Sequence, residues 1–310
     1  MIANKLQPGD EIRVVAPSRS QAIIWEKTHH HAMSFWKKSG FNLTFSKNCR
    51  ELDRYQSSSI ASRVEDLHEA FRDPNVKMII TSVGGFNANQ LLPYLDYDLI
   101  AQNPKIICGY SDITILENAI YAKTGLVTYS GPHYCTFGFD GEPEYTRKAF
   151  LDCLTKDEPL RITPSKTAKQ YTILQEGMCE GAVIGGNLCT INLLQGTSYM
   201  PDIRNKVLFI EDDNIMGEYF SYEFERNLQS LLQIEGADTV RGIVFGRFDK
   251  SCGMTLERIT DIIRDKAPTN IPVISGVDFG HIFPIITFPI GGNVRIKASK
   301  DDIEIVFDSH

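Results

Sequence analysis

Lys105-Ile106-Ile107-Cys108-Gly109-Tyr110-Ser111-Asp112 carries an apolar run through a glycine into a serine and an aspartate. Ile106 to Cys108 reads as a short buried strand, and Asp112-Ile113-Thr114-Ile115-Leu116 opens an amphipathic helix that ends near Gly125. A serine at such a turn stands at a helix N-terminus, beside free backbone N–H groups and in front of the positive end of the helix dipole. Ser111 is therefore a candidate nucleophile. Ser and Asp are also the residues that cap ordinary helices. Ile113 occupies the last position of G-x-S-x-G, so the segment does not spell an α/β-hydrolase elbow.

Outward from this turn, residues 11 to 155 alternate apolar strands with helical patterns, the signature of a mostly parallel sheet covered on both faces. Ile60, Val64, Leu67 and Phe71 recur at helical spacing and stop at Asp73-Pro74; a second helix runs from about Ile23 through Phe35 and Trp36 to Gly40. The strand Met78 to Val83 leads into Gly84-Gly85. In such a sheet the active crevice lies outside the carboxyl ends of the strands, where the diglycine and Ser111 both fall.

From about Asp157 to Cys179 the pattern loosens into a polar stretch around Arg161 to Lys169, read as a linker or surface excursion. A second region begins at Gly181 with Ala182-Val183-Ile184 and a helix near Asn187 to Gln195. It continues with a strand ending at Glu211, a helix near Tyr219 to Ile234, and the strands Ile243 to Phe245, Val294 to Ile296 and Ile303 to Val306. The expected fold is α/β: a Rossmann-like N-terminal domain over 1–156, an excursion over 157–180 and a mixed, β-rich C-terminal domain over 181–310, with the site in the cleft between the domains.

With 310 residues and a net charge of −7, and with no basic stripe interleaved with aromatics, the chain does not resemble a nucleic-acid binder. It has no apolar run of about 18 residues and no apolar core at its N-terminus, so neither a membrane span nor a signal peptide is expected, and a cytoplasmic location follows. Seven scattered cysteines without a C-x-x-C pair fit reduced thiols rather than a zinc site or a disulfide framework. His29-His30-His31 is no metal site if helical, because consecutive side chains there diverge by about 100°.

Several short motifs, taken in order, make the chain resemble the LD-carboxypeptidase family of serine peptidases, which includes the microcin C immunity peptidases. They are Leu6-Gln7-Pro8-Gly9-Asp10, Ile12 to Ser18, Ser82 to Asn87, Leu95 to Asp98, Gly109 to Asp112, Thr128 to His133, Gly185 to Leu188, Leu208 to Asp212 and Gly276 to His281. The resemblance implies a Ser-His-Glu triad with Ser111 as nucleophile, His281 as general base and Glu211 as the acid that orients it. It also implies an oxyanion hole from the N–H groups of Gly85 and Asp112, no cofactor and a homodimer. A serine hydroxyl needs an adjacent imidazole, whose second nitrogen a carboxylate must hold. Separations of 100 and 70 residues leave their meeting to tertiary folding. Each has a plainer reading: Glu211-Asp212-Asp213 as a solvated loop, His281 as a structural histidine. Along the strand, Val207, Phe209 and Glu211 share one face and Leu208, Ile210 and Asp212 the other. Gly84 and His133, the latter on the loop after Gly131-Pro132, are candidate substrate contacts.

The implied reaction is hydrolysis of an amide next to a free carboxylate, in LD-carboxypeptidases the bond between an L- and a D-residue of a murein tetrapeptide. Cleavage of peptidyl-nucleotides, as in microcin C immunity, is the alternative. That branch stacks a tryptophan of the excursion on the nucleotide, whereas the tryptophans here are Trp25 and Trp36 and the excursion offers Tyr171. A non-catalytic module binding a small peptide or nucleotide is the alternative of another class.

Overall fold

In the computed structural model, which describes residues 1–139, 143–166, 170–300 and 302–310, the first half of the chain forms five parallel strands. These are β1 (Glu11–Val15), β2 (Asn42–Phe45), β3 (Val76–Thr81), β4 (Ile106–Gly109) and β5 (Thr128–Ser130). The helices of this half are α1 (Glu26–Lys38), α2 (Ile60–Arg72), α3 (Tyr97–Gln102), α4 (Thr114–Thr124) and α5 (Pro143–Thr155). Ile12, Val14, Ile79, Ile80, Ile106 and Ile107 are wholly buried, as apolar runs must be when both faces of a parallel sheet are covered. Trp36 on α1 packs edge-on against Phe137 and against Phe150 of α5, closing one side of this core.

The second half adds β6 (Leu160–Arg161), β7 (Thr172–Gln175), β8 (Gly177–Asn187), α6 (Leu188–Asn192), β9 (Val207–Glu211), α7 (Phe220–Leu231) and β10 (Gly242–Gly246). It ends with α8 (Leu256–Lys266), β11 (Val273–Val277), β12 (Phe288–Ile290), β13 (Asn293–Ser299) and β14 (Asp302–Ser309). Eight of these strands make a mixed sheet in the order β6-β14-β13-β8-β9-β10-β11-β7, parallel from β8 to β11 and antiparallel on its flanks. The chain is thus a two-domain α/β protein with a mostly parallel first sheet and a mixed second one.

Three features depart from the sequence reading. β6 and β7 lie within the stretch read as an excursion, yet they pair as the two edges of the second sheet. β12 leaves the second domain and pairs antiparallel with β5, completing the first sheet as β12-β5-β4-β3-β1-β2. And α4, expected to be amphipathic, is buried at every residue from Thr114 to Ile120. Its other face is taken by the second domain: Asn118 Nδ2 donates to Gly185 O (2.7 Å), Gly185 N to Asn118 Oδ1 (3.2 Å), and Asn187 N to Thr114 Oγ1 (3.0 Å). A helix clamped between two sheets has no solvent face to mark with charges.

Candidate active site

The site assembles from two carboxyl edges. β4 ends at Gly109, whose N–H donates to the buried Glu117 carboxyl (3.1 Å) and whose carbonyl accepts from Gly131 N (2.7 Å). Tyr110 is extended, and Ser111 then turns to φ +61°, opening a 3-10 turn that runs into α4. A left-handed serine costs on the order of 1 kcal/mol and is kept only where its surroundings enforce it. Neither Ser111 nor Asp112 caps the helix with its side chain, so the capping reading of this turn does not apply.

On the opposite edge, Glu211 is the last residue of β9 and His281 follows β11 through Asp278-Phe279-Gly280. His281 Nδ1 lies 2.7 Å from Glu211 Oε2, and His281 Nε2 lies 3.1 Å from Ser111 Oγ. A carboxylate accepts at Nδ1–H, which leaves the Nε2 lone pair to the serine hydroxyl. Gly280 makes room for this: its φ is +106°, and a Cβ there would stand 2.9 Å from Glu211 Oε2. Burial disfavours the charged imidazole, but the charge and hydrogen bond of Glu211, with Asp213 and Asp212 behind, outweigh it and raise the His281 pKa to about 9.

Glu211 is 2% exposed and Asp212 is also buried, so the acidic cluster is no solvated loop at these two positions. The strand alternation separates their tasks. Val207 and Phe209 join the smaller core while Leu208 and Ile210 join the larger one. Asp212 points away from His281, accepting from Asn187 Nδ2 (3.0 Å), Asp213 N (3.0 Å) and Cys189 N (3.2 Å) at the start of α6.

The diglycine turn after β3 closes over the serine. A Cβ on Gly84 would fall 3.0 Å from both Cβ and Oγ of Ser111, and one on Gly85 would fall 2.2 Å from Ser18 Oγ. Among the described residues, neither Gly85 N–H nor Asp112 N–H donates to a protein acceptor. The Asp112 carboxylate turns back to hold the turn, with Oδ2 accepting from Ser18 Oγ (2.5 Å), Asn87 N (2.9 Å) and Ala88 N (2.9 Å). Two free N–H groups beside a serine that meets an imidazole–carboxylate pair is an arrangement suited to acyl transfer.

His133, on the loop after Gly131-Pro132, is 2% exposed. It stacks beneath Tyr110 at 4.3 Å, and its Nδ1 lies 2.7 Å from Thr81 Oγ1. Burial, reinforced by the charges of His281 and Arg19, pushes its pKa down to about 3 and keeps it neutral. His29 lies on α1 with its Nδ1 2.8 Å from Tyr134 Oη, and among the described residues no group of three or more His, Cys, Asp or Glu side chains is placed to hold a metal.

Reading the sequence did not bring out Arg19, the Asp112 carboxyl, the Tyr110 ring, which meets His281 edge-on at 5.2 Å, or Gly280. One signal existed: Ser18-Arg19 follows β1 at the same carboxyl edge as the diglycine and Ser111. A cavity of about 700 Å³ is lined by Gly246, Phe248, Met254, Ile259, Ser275 and Ile282. No helix among the described residues is long and apolar enough to cross a membrane.

Known proteins share this architecture. The LD-carboxypeptidase N-terminal domain matches residues 12–131, and the LD-carboxypeptidase C-terminal domain matches residues 180–296. The putative carboxypeptidase YocD of Bacillus subtilis (strain 168) is 44% identical over the full length of both chains. A probable murein peptide carboxypeptidase of the same organism is 30% identical over 95% of this chain and 91% of its own. The crystal structure of an MccF-like protein from Bacillus anthracis str. Ames superposes with a TM-score of 0.98 at 48% identity, covering 100% of both chains. MccF in complex with glutamyl sulfamoyl guanosine superposes with a TM-score of 0.88 at 30% identity, over 99% of this chain and 98% of that one.

Proposed function

Because this chain belongs to the LD-carboxypeptidase family of serine peptidases, we propose that it hydrolyses a peptide amide next to a free carboxylate, with murein tetrapeptide-type substrates as its class. The observation that carries the reading is the chain of contacts from Ser111 Oγ through His281 to Glu211. In this reading Ser111 Oγ attacks the scissile carbonyl and its proton passes to His281 Nε2. Glu211 holds the ring and stabilises the imidazolium, and the N–H groups of Gly85 and Asp112 receive the oxyanion. His281 then hands the proton to the leaving amine, and water, the only co-reactant, releases the acyl group by the same steps reversed. Gly84 leaves the space beside Ser111 open. His133, the other candidate substrate contact, lies buried under Tyr110 with its Nε2 3.3 Å from where a Cβ on Gly84 would stand.

Peptide is preferred to nucleotide for a specific reason. In the described part of 157–180 the one aromatic, Tyr171, is 8% exposed with its hydroxyl 3.2 Å from Asp278 Oδ2, and Trp36 is buried in the first domain. No exposed ring of that segment is free to stack on a base. The likeness to MccF bound to glutamyl sulfamoyl guanosine supports cleavage of aminoacyl-nucleotides as the second reading. The non-catalytic reading lapses with membership of a peptidase family.

Mass spectrometry of wild type and Ser111→Ala incubated with murein tetrapeptide and, separately, with a peptidyl-nucleotide tests this. Loss of terminal D-Ala by wild type alone is expected. Cleavage of the nucleotide alone selects the second reading, and turnover by Ser111→Ala removes the nucleophile. The homodimer belongs to the same reading; light scattering giving the 34.9 kDa monomer mass would exclude it.

A further inference from the structure

Arg19 lies half-buried in the loop after β1, against the diglycine turn. Its Nε donates to the Gly84 carbonyl at 3.0 Å, and its stem runs beside Gly85, where an added Cβ would fall 2.8 Å from Arg19 Cγ. The guanidinium sits over the Phe86 ring, 6.0 Å from its centroid. Among the described residues no carboxylate pairs with it. A cation without a counter-ion therefore spends its directed hydrogen bond on one peptide carbonyl, although arginines so placed usually meet carboxylates or phosphates.

That carbonyl belongs to the peptide that carries the Gly85 N–H. Cis bonds among the described residues are confined to Phe283-Pro284, so the Gly84–Gly85 peptide is trans and its C=O and N–H point in opposite directions. Holding the oxygen fixes where the N–H points. A charged donor on the oxygen also draws density from nitrogen through the amide resonance and strengthens the N–H as a donor. The far side of the turn is held by the Asp112 carboxyl, whose Oδ2 accepts from Asn87 N and Ala88 N. A Gly-Gly turn is otherwise among the most mobile backbones available.

We infer that Arg19 is a positioning residue for the oxyanion hole, aiming and polarising the Gly84–Gly85 peptide so that Gly85 N–H meets the charge that develops in the transition state. The inference rests on the reading of Ser111 and Gly85 given above. The field of Arg19 also reaches His133, beside the nucleophile turn, where it helps to keep that imidazole neutral. Because the oxyanion exists only along the reaction path, loss of Arg19 lowers kcat and leaves KM in place.

The test compares wild type, Arg19→Met, Arg19→Lys and Ser111→Ala on murein tetrapeptide and a peptidyl-nucleotide, with a thermal melt of each. A second readout is the affinity of a peptide aldehyde, which forms a hemiacetal oxyanion on a reactive serine. Removing one oxyanion donor outright costs roughly 10²–10³-fold, so Arg19→Met, one bond further away, is expected to lower kcat by roughly 10- to 100-fold. KM stays within about threefold, aldehyde affinity falls in step with kcat/KM, and Arg19→Lys, which still donates to the carbonyl, recovers part of the loss. Wild-type kcat in Arg19→Met overturns the inference, as does a rise in KM alone, which would make Arg19 a ground-state substrate contact. Early melting of both variants, with Lys no better than Met, would make its role structural and also overturns it. Turnover by Ser111→Ala would instead sink the functional reading, so the two failures are distinguishable.

Discussion

Ser111 and the Glu211–His281 pair face each other across the cleft, yet the two sides are built differently. The serine side is one continuous piece: β4, a sharp turn at Tyr110-Ser111, then α4, all between Ile106 and Thr124. The other side joins Glu211 at the end of β9 to His281 just beyond β11, 70 residues apart, and it depends on Gly280 to let His281 reach Glu211. The serine turn is contiguous in the chain, with Asp112 Oδ2 tying it to Ser18, Asn87 and Ala88. A carboxylate–imidazole contact exists only if β9, β10 and β11 pair in register, because Gly246 and Gly280 both sit against Glu211. The serine side should therefore answer to substitutions in its own turn, and the base side to anything that shifts the second sheet.

The largest expected effect sharpens this contrast directly. Ser111→Ala is expected to lower kcat by about 10⁵-fold or more and Glu211→Gln by about 10³- to 10⁴-fold, since a mis-held imidazole retains partial function. Steady-state kinetics on the substrate that wild type turns over measure both, and a Glu211→Gln enzyme near wild-type rate would break the comparison. Next come the two glycines. Gly280→Ala combines a φ of +106° with a 2.9 Å approach to Glu211 Oε2, and both kcat and melting temperature should drop, kcat by about 100-fold. Gly84→Ala meets Ser111 at 3.0 Å with no left-handed backbone, so about a tenfold loss of kcat with little change in melting is expected.

The pH profile probes the base side alone. Neutral His281 is the form that accepts a proton, and its pKa is raised to about 9, chiefly because Glu211 outweighs burial. With His281 as the proposed base, activity is expected above that pKa and is expected to fall as pH drops through it. The acid limb of kcat/KM should lie above the ordinary imidazole value near 6.5 and move down in Glu211→Gln. An acid limb at or below 6.5 in wild type would show that Glu211 does not stabilise the imidazolium.

The smallest effect belongs to the serine side's foundation. Glu117 is wholly buried, accepts from Gly109 N, and desolvation raises its pKa well above the usual carboxyl value. The folded state keeps a proton that the unfolded chain releases, so stability falls as pH rises from the unfolded pKa towards the folded one. Glu117→Gln keeps an acceptor for Gly109 and removes the ionisable group. Its melting temperature should match wild type in acid and exceed it modestly at alkaline pH, and a lower value at alkaline pH would mean that Glu117 is held ionised.

Much of this molecule was readable along the chain. The strand before Ser111, the helices ending at Gly40 and at Asp73-Pro74, and the strand into Glu211 all follow from apolar spacing and breakers, which are local properties. Alternation on β9 even separated Glu211 from Asp212 before any partner was known. What eluded reading involves long-range neighbours. The burial of α4 requires the second domain against its outer face, the pairing of β12 with β5 requires a return across the cleft, and the polar stretch after Asp157 hides edge strands too short for periodicity to mark.

The ordered motifs, through the family they resemble, singled out Ser111, His281 and Glu211, whose residue types suit a nucleophile, a base and its carboxylate. Whether they meet, which way Asp112 turns its carboxyl, that His133 lies beneath Tyr110, and that Arg19 grips the Gly84 carbonyl were decided only by folding. These contacts span from 23 to 170 residues of chain, as between Tyr110 and His133 or Ser111 and His281, and depend on the registers of two sheets. Local propensity extends over a few residues, whereas a 3 Å hydrogen bond between distant segments depends on every strand packed between them.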